Sequence, residues 1–264
     1  MARGSPDLRR VLTFGGQAPL SVGVLLAAML AATVGGTIWP ALGGMLVLEV
    51  PTFETPAWVV VLEAWRLVTW PFFLGPLPGS ILTLLFAGFM LLWLGRQLSY
   101  AWSERRFVTR FLVLGVGSGL ATLALLAPFG HPAVYFGVWA VVNGLLVTWG
   151  LIFPHQRISW FGALEMTGAT VARVVAIGTP IWALVVGPPG AGIGGRLVAY
   201  LPHLVAIALA WLLVTGGPRR GWYRLREWWL RRTLASQRRK FKVVSTDRPP
   251  GKQWMNRAAG WRRA

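Results

Sequence analysis

Six stretches of this chain are predominantly apolar and about as long as the ~20 residues that a helix needs to cross a bilayer, and no other feature constrains the fold as strongly. They run 20–38, 79–94, 107–127, 134–153, 171–186 and 197–215, with the second and fifth the shortest. Within hydrocarbon, every backbone amide must be satisfied inside the segment, which such runs achieve as helices. The predicted fold class is an all-α, polytopic membrane protein with a six-helix bundle over residues 20–217. Composition agrees, since 13% of the residues are charged against roughly 25% in soluble domains. The first apolar run follows Arg9 and Arg10 as a signal peptide would, but five further spans favour a retained helix.

The formal net charge of +18 would suggest nucleic acid as a partner for a soluble chain. Here the basic residues sit between the apolar runs and in one tail. Arg3, Arg9 and Arg10 precede the first run, and Arg96, Arg105, Arg106 and Arg110 lie near the second-to-third connection. Arg157 and Arg173 flank the fourth-to-fifth connection, and fifteen more follow Gly217. Only Arg66 and Arg196 fall on the opposite side, so 24 of 26 share one face. That bias predicts both termini in the cytoplasm. Six spans fit it, whereas five or seven would place basic loops on both sides.

No Cys is present and the three His are scattered, so no disulfide, thiolate chemistry or metal site is expected, and no cofactor is predicted. Residues 1–19 form a cytoplasmic N-tail. The stretch 40–78 is too apolar for a free loop, carries Glu49, Glu54 and Glu63, and is expected in the outer-leaflet interface with Trp58, Trp65 and Trp70. Residues 218–264 form a basic C-tail. Its first part interleaves Trp222, Tyr223, Leu225, Trp228 and Trp229 with Arg, which predicts an amphipathic segment on the anionic inner leaflet. RNA or ribosome binding is the sharper alternative for that mixture, and from Ser245 onward disorder is expected.

Blocks over about residues 60–215 resemble the rhomboid intramembrane serine protease family. Trp65-Arg66-Leu67-Val68-Thr69-Trp70-Pro71-Phe72 resembles its Trp-Arg motif. Leu84-Leu85-Phe86 through Gly95-Arg96-Gln97-Leu98 resembles its second helix and basic turn. Residues 137–154, including Gly137 and Gly144, resemble the fourth-helix block, and Tyr200-Leu201-Pro202-His203-Leu204 the sixth. The resemblance implies an intramembrane Ser-His dyad with an oxyanion held by His and Asn from the second helix. The family's Gly-x-Ser-Gly falls on Gly137-Val138-Trp139-Ala140, so Trp139 holds the nucleophile position. The oxyanion positions are Thr83 and Ala87, and of this set only His203 is retained.

Without a nucleophile the base has no proton to accept. The expectation is a rhomboid-like pseudoprotease of a bacterial inner membrane that binds transmembrane segments of clients without cutting them. The alternative is an active intramembrane serine endopeptidase with an unassigned nucleophile, for which Ser80 and Ser118 are the candidates weighed. A small transporter or channel would require more intramembrane charge than His203 and Arg173 supply.

Several residues carry structural expectations. Trp139 facing His203 would fill the active-site cavity, and His203 as a relic would bond to a neighbouring backbone. Val205-Ala206, in place of small Gly-x-x-Gly character, would alter packing between the fourth and sixth helices. Asn143 would hydrogen-bond across helices, Arg66 would tie the interfacial loop to carbonyls or to Glu63, and Arg173 would snorkel to the headgroups.

Overall fold

In the computed structural model, the described residues are 12–216 apart from 14, 15, 17, 161–163 and 191. The expectations for the first eleven residues and for the tail 218–264 lie outside them. The chain is mostly helical. Its longer helices are α1 (Leu20–Ile38), α5 (Ile81–Ala101), α6 (Glu104–Leu126), α7 (Trp139–Ile152), α8 (Gly168–Val186) and α10 (Leu201–Thr215). Short helices α2 (Pro40–Leu46), α3 (Ala57–Leu62) and α4 (Arg66–Thr69) occupy the stretch expected at the interface, and α9 (Ile193–Ala199) precedes α10.

Four of these helices, α1, α5, α6 (with the 3-10 turn that follows it) and α8, are long and apolar enough to cross a membrane, and α9 with α10 makes a fifth if the bent pair is one span. Each exposes large apolar side chains, such as Leu30 on α1, Leu85 and Phe89 on α5, and Ile177 and Ile181 on α8. A surface of that kind is at home in lipid and costly in water.

The bounds correct the sequence reading at four of the six runs. Helix α5 runs past Leu94 to Ala101, and α8 begins at Gly168, so neither is short at 21 and 19 residues. The N-cap hydroxyl of Thr167 accepts from the Thr170 amide and sets that earlier start. The short helix is α7, whose 14 residues span about 21 Å. It starts at Trp139 rather than Val134 because Val134–Tyr135 is a strand and Gly137 turns the chain at φ +99°. The sixth segment is broken by 62° between α9 and α10, where Pro202 in the first turn of α10 has no amide hydrogen to continue a helix.

Helix α7 is the centre of the packing. Ten of its residues are buried, and it lies mainly against α10 and α8, then α5 and α6. Its core partners include Met29, Leu91, Leu94, Phe111, Leu114 and Ala210. A helix so enclosed needs no lipid-facing length of its own.

Two antiparallel pairs complete the fold. Strand β1 (Leu48–Glu49) pairs with β2 (Val134–Tyr135), joining the interfacial stretch to the entry of α7. Strands β3 (Arg157–Trp160) and β4 (Leu164–Thr167) form a hairpin between α7 and α8. The ends of α5 and α7 meet through Gln156 and Gln97 at 3.5 Å. The starts of α1 and α6 meet where the Ser21 amide donates to Glu104 at 3.0 Å. Arg96, Arg105, Arg106 and Arg157 therefore collect at one end of the bundle, where all four are exposed or half-buried.

Candidate functional site

At the opposite end a cavity of about 970 Å³ lies between α7, α8 and the α9–α10 bend. Trp139 and His203 both line it, so the folded chain brings together the two positions to which the family resemblance assigns nucleophile and base. Trp139 is a wall rather than a plug: the cavity persists beside the indole, which corrects the expectation that it would be filled. On α8 the lining repeats every four residues as Val174, Gly178, Trp182 and Val186, one face of a helix. None of the lining residues is charged.

The placement of Trp139 begins in the turn before it. Gly137 adopts a left-handed conformation that disfavours a Cβ, and its amide donates to the Trp70 carbonyl at 3.0 Å. Tyr135, just upstream, donates its hydroxyl to the Val198 carbonyl of α9 at 2.7 Å. Burial pushes that hydroxyl up to about 12. The entry of α7 is thereby fixed to both the interfacial stretch and α9.

His203 enters the cavity from the first turn of α10. Its amide donates to the Tyr200 carbonyl at 3.0 Å, and the two rings lie 5.3 Å apart at 44°. Its Nδ1 is buried with no hydrogen-bond partner, so the bond to a neighbouring backbone expected of a relic is not made there. Asn143, one turn beyond Trp139, also lines the cavity. Its side chain makes no hydrogen bond to another described residue, contrary to the expected bridge between helices.

Thr83 and Ala87 stay outside. Neither lines the cavity, and Ala87 is fully buried in the core shared by α1, α5 and α7. The serines considered as alternatives are engaged elsewhere: Ser80 donates to the Gly75 carbonyl at 2.9 Å and Ser118 to the Gly115 carbonyl at 3.1 Å. Thr179 does line the cavity, but its hydroxyl donates to its own helix at the Val175 carbonyl, 2.7 Å away. Among the described residues no three His, Cys, Asp or Glu cluster as metal ligands.

The motif residues hold the frame. Arg66 pairs with Glu63 at 3.1 Å, as expected, and also with Glu49 at 2.9 Å, which sequence reasoning missed. Its reach to the Val47 carbonyl is 3.5 Å. Trp65 donates to the Met45 carbonyl at 3.2 Å. At Gly95 a Cβ would overlap the Val22 side chain, so α1 and α5 cross there at close range. Arg96 is exposed, as is Arg173 at the start of α8.

At Gly144 a Cβ would stand 3.1 Å from the Ala206 carbonyl. Helices α7 and α10 thus meet closely despite the Val205-Ala206 pair, through fully buried Ala206 and Ala210. Phe136 and Trp182, two aromatic walls of the cavity, were not singled out from sequence, and Tyr200 entered only as part of the sixth-helix block. The four-residue spacing of Gly178, Trp182 and Val186 was the available signal.

No protein-family model matches this sequence, and no curated protein matches it.

Proposed function

We propose that this chain is a catalytically inactive, rhomboid-like protein with six membrane spans, which binds transmembrane segments of client proteins without cutting them. The observation that carries the reading is the shared cavity of Trp139 and His203. Two positions far apart in sequence, matched to a nucleophile and its base, face the same space, and indole offers no nucleophilic oxygen. The sixth span in this reading is α7, too short to cross alone but enclosed by the other helices.

Client binding uses the side between α5 and α8. Both helices pack on α7 and touch each other little, and both present apolar side chains outward, including Phe89 and Ile181. The protein resides in a bacterial inner membrane with both termini in the cytoplasm. The gathering of Arg96, Arg105, Arg106 and Arg157 at one end of the bundle supports that orientation, and the C-tail adds contact with anionic lipid.

Photo-crosslinking in the native membrane tests this directly. A photoreactive residue at Phe89 or at Ile181 should capture intact membrane proteins, while one at Leu30 on α1 should not. Equal capture at all three positions, or capture of cleaved fragments, would contradict the proposal.

A further inference from the structure

We infer that the cavity beside Trp139 and His203 holds one neutral, single-chain lipid, with an ester or amide carbonyl at its polar end and its acyl chain lying along α8. The inference rests on the membrane-embedded part of the reading above and not on client binding.

The cavity has two chemically different ends. From Val174 to Val186 its α8 wall covers about 18 Å of helix. The outer end of α8 is joined to α9 where Arg196 donates to the Leu184 carbonyl, so Tyr200 and His203 lie towards Val186. There the His203 ring lines the cavity, while Asn143, one turn beyond Trp139 on α7, lines it closer to its middle. Trp139 and Tyr200 add an indole N–H and a phenol. The other end offers Val174, Val175 and Gly178, and a Cβ on Gly178 would meet nothing within 4 Å.

That division selects the occupant. Indole N–H, amide N–H and one imidazole N–H are donors, so the head group they suit is rich in acceptors. No lining side chain is charged, and a phosphate or carboxylate head would be buried without a counter-ion. An unwound peptide carries polar backbone groups along its whole length, and those beside Val174 and Val175 would find no partner. A carbonyl head on an apolar chain leaves neither end unsatisfied, since it accepts from the Trp139 indole and the Tyr200 hydroxyl that line the cavity with the His203 ring.

The test uses the full chain in nanodiscs and a monoacylglycerol carrying a diazirine in its acyl chain. After photolysis, the label should concentrate on the α8 peptide between Val174 and Trp182. Unlabelled 1-oleoylglycerol should compete, and oleate should not.

Gly178→Leu fills open space and should cut labelling about tenfold, the equivalent of ~1.4 kcal/mol, without lowering thermal stability. His203→Leu should weaken it in the same direction. Label spread over the exposed faces of α1 and α5, equal competition by oleate, or unchanged labelling of Gly178→Leu would overturn the assignment. No client segment is present in this experiment, so its failure leaves client binding standing, and failure of client capture leaves the lipid site standing.

Discussion

The two flanks of α7 are built on different terms. On one flank the interfacial stretch is tied down residue by residue. Trp70 is buried and donates to the Gly115 carbonyl at 3.2 Å, while the amides of Leu74 and Leu77 donate to Thr33 and Thr37 of α1 at 3.3 and 3.0 Å. Arg66 binds two carboxylates there. On the other flank, α8 has only 17% of its span buried, against 39% for α6. It is held at its N-terminal end, where Gly150 of α7 meets Gly168 and Ala172, and it borders the cavity towards its C-terminal end. Helix α8 is thus fixed at one end and borders a cavity at the other, whereas the tied flank keeps the entry of α7 in place.

Substitutions on the two flanks should therefore differ in cost. The largest effect is expected where α8 is anchored. A Cβ on Gly150 would stand 2.8 Å from that of Ala172, so Gly150→Leu should destabilise by about 3 kcal/mol through overpacking, seen as a lowered Tm in detergent. On the tied flank, Arg66→Leu strands Glu49 and Glu63 together. Because both carboxylates are partly exposed, the expected loss is about 2 kcal/mol, and Arg66→Lys should restore only part of it since a point charge cannot serve both carboxylates in a fork.

Tyr135 spans the two flanks and gives a smaller, pH-dependent effect. Tyr135→Phe removes its bond to Val198 and should cost about 1 kcal/mol near neutrality. With the native hydroxyl raised from 10.0 to about 12 by burial, its contribution is complete below pH 10. It declines as pH rises towards 12, because the unfolded state ionises first. The Tm difference between the native chain and Tyr135→Phe should therefore narrow over that interval, and a constant difference would show that the hydroxyl is not buried. The smallest effect is expected on the open flank, where Gly178→Leu should change stability by less than about 1 kcal/mol, with a gain in helix propensity as its main term.

Much of this arrangement was legible in the sequence because apolar run length and charge placement act locally. The run 20–38 coincides with α1, and Trp65-Arg66 announced a structural clamp. What sequence could not supply came from contacts between distant segments. Glu49 reaches Arg66 only because β1 pairs with β2, and Gly137 delays the start of the fourth helix through a left-handed turn that periodicity does not register. Pro202 is the local signal for the bend in the sixth run, since it lacks the amide hydrogen that a continuous helix needs there. At the site, Trp139 and His203 were named from resemblance, and the fold puts both on one cavity. Thr83 and Ala87, named in the same way, are kept from it by the packing of α5 against α1 and α7.

The measurement that bears most directly on the central claim is labelling by a serine-reactive fluorophosphonate of the native protein, Trp139→Ser, and Trp139→Ser with His203→Ala, all in liposomes. The proposed match of Trp139 to the nucleophile's place predicts no labelling of the native chain, labelling of Trp139→Ser, and its loss when His203 is also replaced. Labelling of the native chain that disappears in His203→Ala alone would contradict the account, because a hydroxyl elsewhere in the chain would then be working with that histidine.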